Sequence, residues 1–214
     1  MDSRRRPRGL KVATLGLACA PLARLAGDAA FGRLGANPVS AIENRLGWWA
    51  LVMLLASLAC TPLNLTLRWS WPLRLRRMLG LSAFCYATLH LATYLVVDQG
   101  LSVRDILDDV EKRRFITVGA AAWLLLVPLA VTSTAGWTRR LGGARWKALH
   151  RLVYLVAALG LLHFAWRFKV LEDEPVLFAS LFALLLLVRV AHALGRRARA
   201  QTARENARLG VSAR

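Results

Sequence analysis

Apolar residues along this chain do not alternate with polar ones. They gather into six long runs separated by short polar stretches, most of them basic. The runs predict helices at about 10–31, 46–65, 78–97, 115–131, 151–168 and 175–194. Each is about 17 to 22 residues long, the length a helix needs to cross the hydrocarbon of a bilayer. Residues 178–188 are apolar on every face, whereas a helix of a soluble bundle would keep one face polar. Pro21 and Arg24 interrupt the first run, and Thr61-Pro62 is expected to kink or end the second. Pro175 opens the last, where a missing N–H does no harm. The fold class expected is an all-α integral membrane protein, a six-helix transmembrane bundle. The division expected is a basic N-terminus at 1–9, the bundle at 10–194 and a basic tail at 195–214, with no internal repeat and no separate soluble domain.

Composition sharpens this picture through charge. Hydrophobic residues are 57% of 214 and the net charge is +18, but the basic residues lie in clusters between runs and form no stripe along one helix. That excludes a nucleic-acid partner in favour of a lipid membrane. One side of the bundle, with both termini and the loops around 68–77 and 139–151, carries 20 Lys and Arg against Asp2 and Glu205. The other carries 8, among them Arg45, Arg113 and Arg167, against 10 acids that include Asp105, Asp108, Asp109, Glu172, Asp173 and Glu174. The positive-inside rule places both termini in the cytoplasm. Arg24 and Arg189 fall inside runs near their ends, and both are expected to snorkel toward the lipid interface. After Cys19 there is no small-residue cleavage site, so the first run is expected to be a retained helix. Cys19, Cys60 and Cys85 are isolated within apolar runs, with no C-x-x-C-H for covalent haem attachment. Seven tryptophans fall near predicted run ends, where an amphipathic ring is best solvated; Trp123 is the exception.

Candidate chemistry rests on histidine. His90 and His163 lie deep in the third and fifth runs, where an imidazole needs a ligand or a buried hydrogen bond. Each is 12 residues from the basic edge of its predicted run, about 18 Å at 1.5 Å per residue. Two imidazoles on different helices at one depth suit the axial positions of a haem; histidines satisfied within a polar network are the alternative. Gly80, Ala83, Ala87, His90 and Tyr94 form one small-residue stripe, which either admits a macrocycle or packs helices. Gly160 lies one turn before His163. His150 stands 13 residues before His163, about 19 Å lower and about 140° around a regular helix. It is a candidate ligand of a second haem or a polar interface residue. His192 is a candidate opposite it or a solvated helix-end residue. The clusters Arg74, Arg76, Arg77 and Arg145, Lys147 could pair with haem propionates or a flavin phosphate, or with anionic headgroups.

The stretches GANPV (35–39), TPL (61–63), RRMLGLSAFCYATLHLATY (76–94), TST (132–134) and RWKALHRLVYLVAALGLLHFAW (145–166) carry a resemblance across nearly the whole chain. It resembles the MsrQ family, formerly YedZ, the haem-binding membrane subunits of the bacterial protein-methionine-sulfoxide reductase system, within the ferric-reductase-like transmembrane group. The resemblance implies a multi-pass protein of the bacterial inner membrane with haem b, one or two per chain, and FMN. It implies a periplasmic molybdopterin reductase of the MsrP kind as partner, and the quinone pool or a cytosolic flavin reductase as electron donor. His90, His150 and His163 match the family's haem-associated histidines; no residue matches an FMN site. Larger ferric reductases and NADPH oxidases carry a second histidine on the third span and a cytosolic flavin–nicotinamide domain. Here Arg76 stands near the former, the tail after Leu194 has 20 residues, and no G-x-G-x-x-G opens a helix after a strand. The function expected is an electron-transfer subunit with no catalytic residue of its own. The competing readings are a stand-alone membrane ferric or quinone reductase and a cofactor-free transporter or assembly factor.

Overall fold

A computed structural model describes residues 6–167 and 173–208, and every regular element in them is helical. Of the charges counted above, Asp2, Arg4, Arg5, Lys169, Glu172 and Arg214 lie outside the described residues. The helices are α1 (Arg6–Ala30), α2 (Pro38–Leu67), α3 (Trp71–Ala92), α4 (Val103–Lys112), α5 (Arg114–Val131), α6 (Ala135–His150), α7 (Leu152–Trp166) and α8 (Asp173–Arg208). A π-helical turn, Thr93–Asp98, prolongs α3. Among the described residues six segments are long and apolar enough to cross a membrane: Gly9–Ala30, Pro38–Leu67, Trp71–Asp98, Arg114–Val131, Ala135–Trp166 and Asp173–Glu205.

α2 is the central helix. The Asn37 side chain accepts from Ser40 N at 3.0 Å and Pro38 occupies the first turn, so its start is fixed by a cap and a pre-set φ. Leu46, Leu51, Leu54, Leu55 and Leu58 bury against its neighbours. α3 packs along α2, α5 along α7, and α3 also meets α5. α1 lies against α2 and α3, tied by Tyr86, whose hydroxyl donates to Ala18 O at 2.7 Å. α8 crosses α2 and α7. The outward faces of α1 and α8 carry Leu15, Leu17, Leu177, Leu184 and Leu187 exposed, as lipid contact requires.

Four features differ from the sequence reading. α1 runs unbroken through Pro21, and α2 runs through Pro62 to Leu67. Hydrocarbon offers no water to a freed backbone group, so a helix inside it continues wherever a neighbour can satisfy that group. At Pro62 the neighbour is Arg189. The carbonyl of Leu58, four residues earlier, has no N–H to accept from, and Arg189 Nη2 donates to it. Arg189 therefore points into the bundle, where Nη1 also donates to Tyr154 OH, and does not snorkel to lipid. Arg24 is exposed, as a lipid-facing position requires. Helix α4 forms where no element was expected, started by Ser102, whose hydroxyl accepts from Asp105 N at 3.3 Å. The fifth segment begins at Ala135, bends at Gly142 (φ 73°) and passes through Arg151 into α7, while α8 continues past Leu194 to Arg208.

Candidate functional site

α2, α3, α5 and α7 enclose a cavity of ≈ 330 Å³ toward the acid-rich end of the bundle, within the range of about 300–1,000 Å³ common to cofactor sites. Ala83, Leu54, Leu126 and Val156 wall its depth; Ser40, Asn44, Asp98, Arg113 and Arg167 stand at its rim. His90 and His163 both line it. Their ring centres are 6.0 Å apart and the ring planes make an angle of 75°.

Each imidazole is held by the same device. His90 Nδ1–H donates to the carbonyl of Glu43 at 2.9 Å, and His163 Nδ1–H donates to the carbonyl of Phe115 at 2.7 Å. In both cases the residue four positions after the carbonyl is glycine, Gly47 and Gly119. A side chain there would cover the carbonyl. A Cβ on Gly47 would stand 3.4 Å from the His90 ring, and one on Gly119 would stand 2.6 Å from His163 Nδ1. The bare helix surface lets each ring lie on the neighbouring backbone. With Nδ1 committed as donor, Nε2 is the lone-pair nitrogen left to bind a metal, the arrangement in which the second nitrogen of a ligating histidine is fixed by a carbonyl. Among the described residues no three His, Cys, Asp or Glu side chains converge on one point. A metal held here would therefore bring its other ligands with it, as a porphyrin does.

Of the predicted stripe, Ala83, Ala87, His90 and Tyr94 face the cavity. Gly80 does not: its α-carbon faces Ser57, and it serves the close approach of α2 and α3. Gly160 does line the cavity. Trp123, the tryptophan far from a run end, also lines it, donates from Nε1 to Thr88 Oγ1 at 3.1 Å and stacks on Phe84. At the rim, Tyr94 OH donates to Asp109 at 3.1 Å, Asp109 also pairs with Arg113, and Arg167 donates to Asn44.

The structure does not bring His150 to this cavity. It stacks on Trp146 with ring centres 4.0 Å apart. The Thr132 hydroxyl donates to Pro128 O at 2.6 Å, so it accepts from His150 Nε2–H at 3.1 Å. His163 and His150 both face α5, one at the cavity and the other at the helix end, because the helix is interrupted at Arg151, between α6 and α7. His192, expected to be solvated, is half-buried, and its Nδ1 is enclosed without a partner.

Residues 46–161 match the family described as ferric reductase like transmembrane component. The chain is 55% identical over 166 residues to the protein-methionine-sulfoxide reductase heme-binding subunit MsrQ of Rhodospirillum rubrum, covering 78% of this chain and 80% of that one. It is 48% identical over 194 residues to the MsrQ of Herminiimonas arsenicoxydans, covering 90% and 87%. The chain belongs to the MsrQ family. It is accordingly a ferric-reductase-like, multi-pass protein of the bacterial inner membrane. The family match takes in His90, Gly47, Phe115 and Gly119, begins after Glu43 and ends two residues before His163.

Proposed function

We propose that this chain is a b-type cytochrome subunit. It passes electrons from the quinone pool or a cytosolic flavin reductase to a periplasmic molybdopterin reductase of the MsrP kind, which repairs oxidised methionine in envelope proteins. The observation that carries the proposal is the pair His90 and His163, their ring centres 6.0 Å apart in one cavity, each with Nδ1 tied to a backbone carbonyl. The names of the relatives, heme-binding subunits of a methionine-sulfoxide reductase, agree with it.

The donor set fits a haem: His90 and His163 would hold its iron, and Ala87, Gly160 and Leu126 would form apolar walls. When bound, the iron supplies one-electron redox chemistry. The residues of the chain fix ligand identity, burial and orientation. The carbonyls of Glu43 and Phe115 hold the rings in one tautomer and one rotation, so little reorganisation accompanies ligation. His150 is proposed as a ligand of a second haem, which requires its bond to Thr132 to be exchanged. FMN is proposed as a further cofactor without assigned residues. The basic end of the bundle faces the cytoplasm and the rim with Asp98, Arg113 and Arg167 faces the periplasm. Sulfoxide reduction belongs to the partner, and no residue of this chain is assigned a catalytic role.

The test is stopped-flow re-oxidation of the reduced, purified chain. Re-oxidation is expected only when the molybdopterin reductase and a methionine-sulfoxide peptide are both added. Fast re-oxidation by ferric citrate or a short-chain quinone without the partner would replace the proposal with a stand-alone reductase.

A further inference from the structure

At the basic end of the bundle a second group of polar side chains is left without chemistry by the proposed function. Arg189 on α8 meets two acceptors, Leu58 O and Tyr154 OH, and both are neutral. Its Nε is buried without a partner. Among the described residues ion pairs form at the opposite end, Asp28 with Arg33 and Arg45 and Asp109 with Arg113, and none forms at Arg189. Arg76 on α3 is held against the same stretch of α2, its carbonyl accepting from Ser57 Oγ at 2.9 Å, one residue before Leu58. Two further buried polar atoms lack partners on the same seam. One is Nδ1 of His192, one turn along α8 from Arg189, and the other is Oγ1 of Thr61, one turn along α2 from Leu58.

A guanidinium taken out of water is costly unless a counter-charge and hydrogen-bond partners come with it, and a second cation beside it raises that cost. An oxyanion answers both needs. Its oxygens accept from several donors at once, and charge-assisted bonds of this kind are the strong ones. In a membrane, a charged residue inside a span marks a site for a partner.

We propose that α2, α3 and α8 form, at their basic ends, a binding site for the oxyanion of a membrane-borne amphiphile, held by Arg76 and Arg189 with His192 and Thr61 as hydrogen-bond partners. The shared chemistry is a carboxylate or phosphate head on an apolar body, and it has two sources. One is the phosphate of an anionic phospholipid. The other is the carboxylates of a second haem near His150, and this source alone rests on the function proposed above.

The full-length chain in nanodiscs of phosphatidylcholine with phosphatidylglycerol distinguishes the sources. Native mass spectrometry reads retained phosphatidylglycerol, and the pyridine haemochrome reads haem per chain. With a lipid in the site, wild type retains phosphatidylglycerol after detergent exchange. Arg76→Gln and the charge-keeping Arg189→Lys each lower retention about tenfold, the loss of one charge-assisted bond, while Arg139→Gln does not. With a second haem in the site, wild type holds two haems, and Arg76→Gln holds one with an unchanged low-spin spectrum. Wild type with neither a retained anionic lipid nor a second haem overturns the site, as do Arg76→Gln and Arg189→Lys proteins that retain as much as wild type. A protein lacking haem altogether overturns the cytochrome reading and leaves the lipid arm intact.

Discussion

Gly119 and Gly47 act as the floor on which two imidazoles rest, and their contacts differ in tightness. A methyl group at Gly119 would overlap the His163 ring, which must then leave Phe115 O; one at Gly47 would meet the His90 ring at a tight but tolerable distance. Gly119→Ala is therefore expected to lose most of its low-spin haem absorbance while Gly47→Ala keeps most of it; the opposite order would show that the glycines do not set ring position. Arg189 and Pro62 form a second coupled pair. Arg189→Ala strands the Leu58 carbonyl and is expected to cost about 1–3 kcal/mol, read as thermal unfolding in detergent. In a Pro62→Ala background the restored N–H takes that carbonyl, so the same change costs at least about 1 kcal/mol less. Additive effects would mean that the proline and the arginine are unrelated. His90 and His163 were legible in the sequence because imidazole is out of place in an apolar run. Their anchors were not, because a backbone carbonyl has no residue identity. A glycine four residues on is visible only once the facing helix is known.

At the scale of elements, six apolar runs were enough to find six membrane helices, since length and hydropathy are properties of the chain alone. The helix ends were harder to read. Pro21 read as a break and Pro62 as a kink or an end because the rule for proline is drawn from helices whose freed carbonyls face water. At Pro62 the bundle supplies the missing donor, from Arg189. α4 was missed although its signals are present, a Ser102 cap followed by Val103, Ile106, Leu107 and Val110 at helical spacing. Its charges disguised it as a loop. Asp109 fastens this helix to the cavity rim through Tyr94 and Arg113. Asp109→Asn is expected to loosen α4 by about 1 kcal/mol, seen as faster amide exchange over 103–112 with the bundle amides unchanged. Unaltered exchange there would assign the tether to packing alone.

Taken as a whole, the molecule has a charge asymmetry and a cavity displaced toward the end poor in basic residues. The third and fifth segments begin earlier than their hydropathy suggested, at Trp71 and Ala135, so the histidine pair sits nearer that end than equal counts from the predicted edges implied. The counts are no longer equal, 19 residues from Trp71 to His90 and 28 from Ala135 to His163, because the fifth segment bends at Gly142, and the two rings meet 6.0 Å apart across one cavity. If the basic end is cytoplasmic, a green fluorescent protein fused after Arg214 fluoresces and alkaline phosphatase fused there is inactive; the reverse would invert the direction of electron flow. The pairing of His90 and His163 is tested most directly by the reduced-minus-oxidised absorption spectrum of wild type, His90→Ala and His163→Ala, each purified from cells supplied with haem precursor. Wild type is expected to show sharp α and β bands of a bis-imidazole haem, and each variant is expected to lose them. Variants that keep the wild-type bands, or a wild-type protein without pigment, would contradict the assignment.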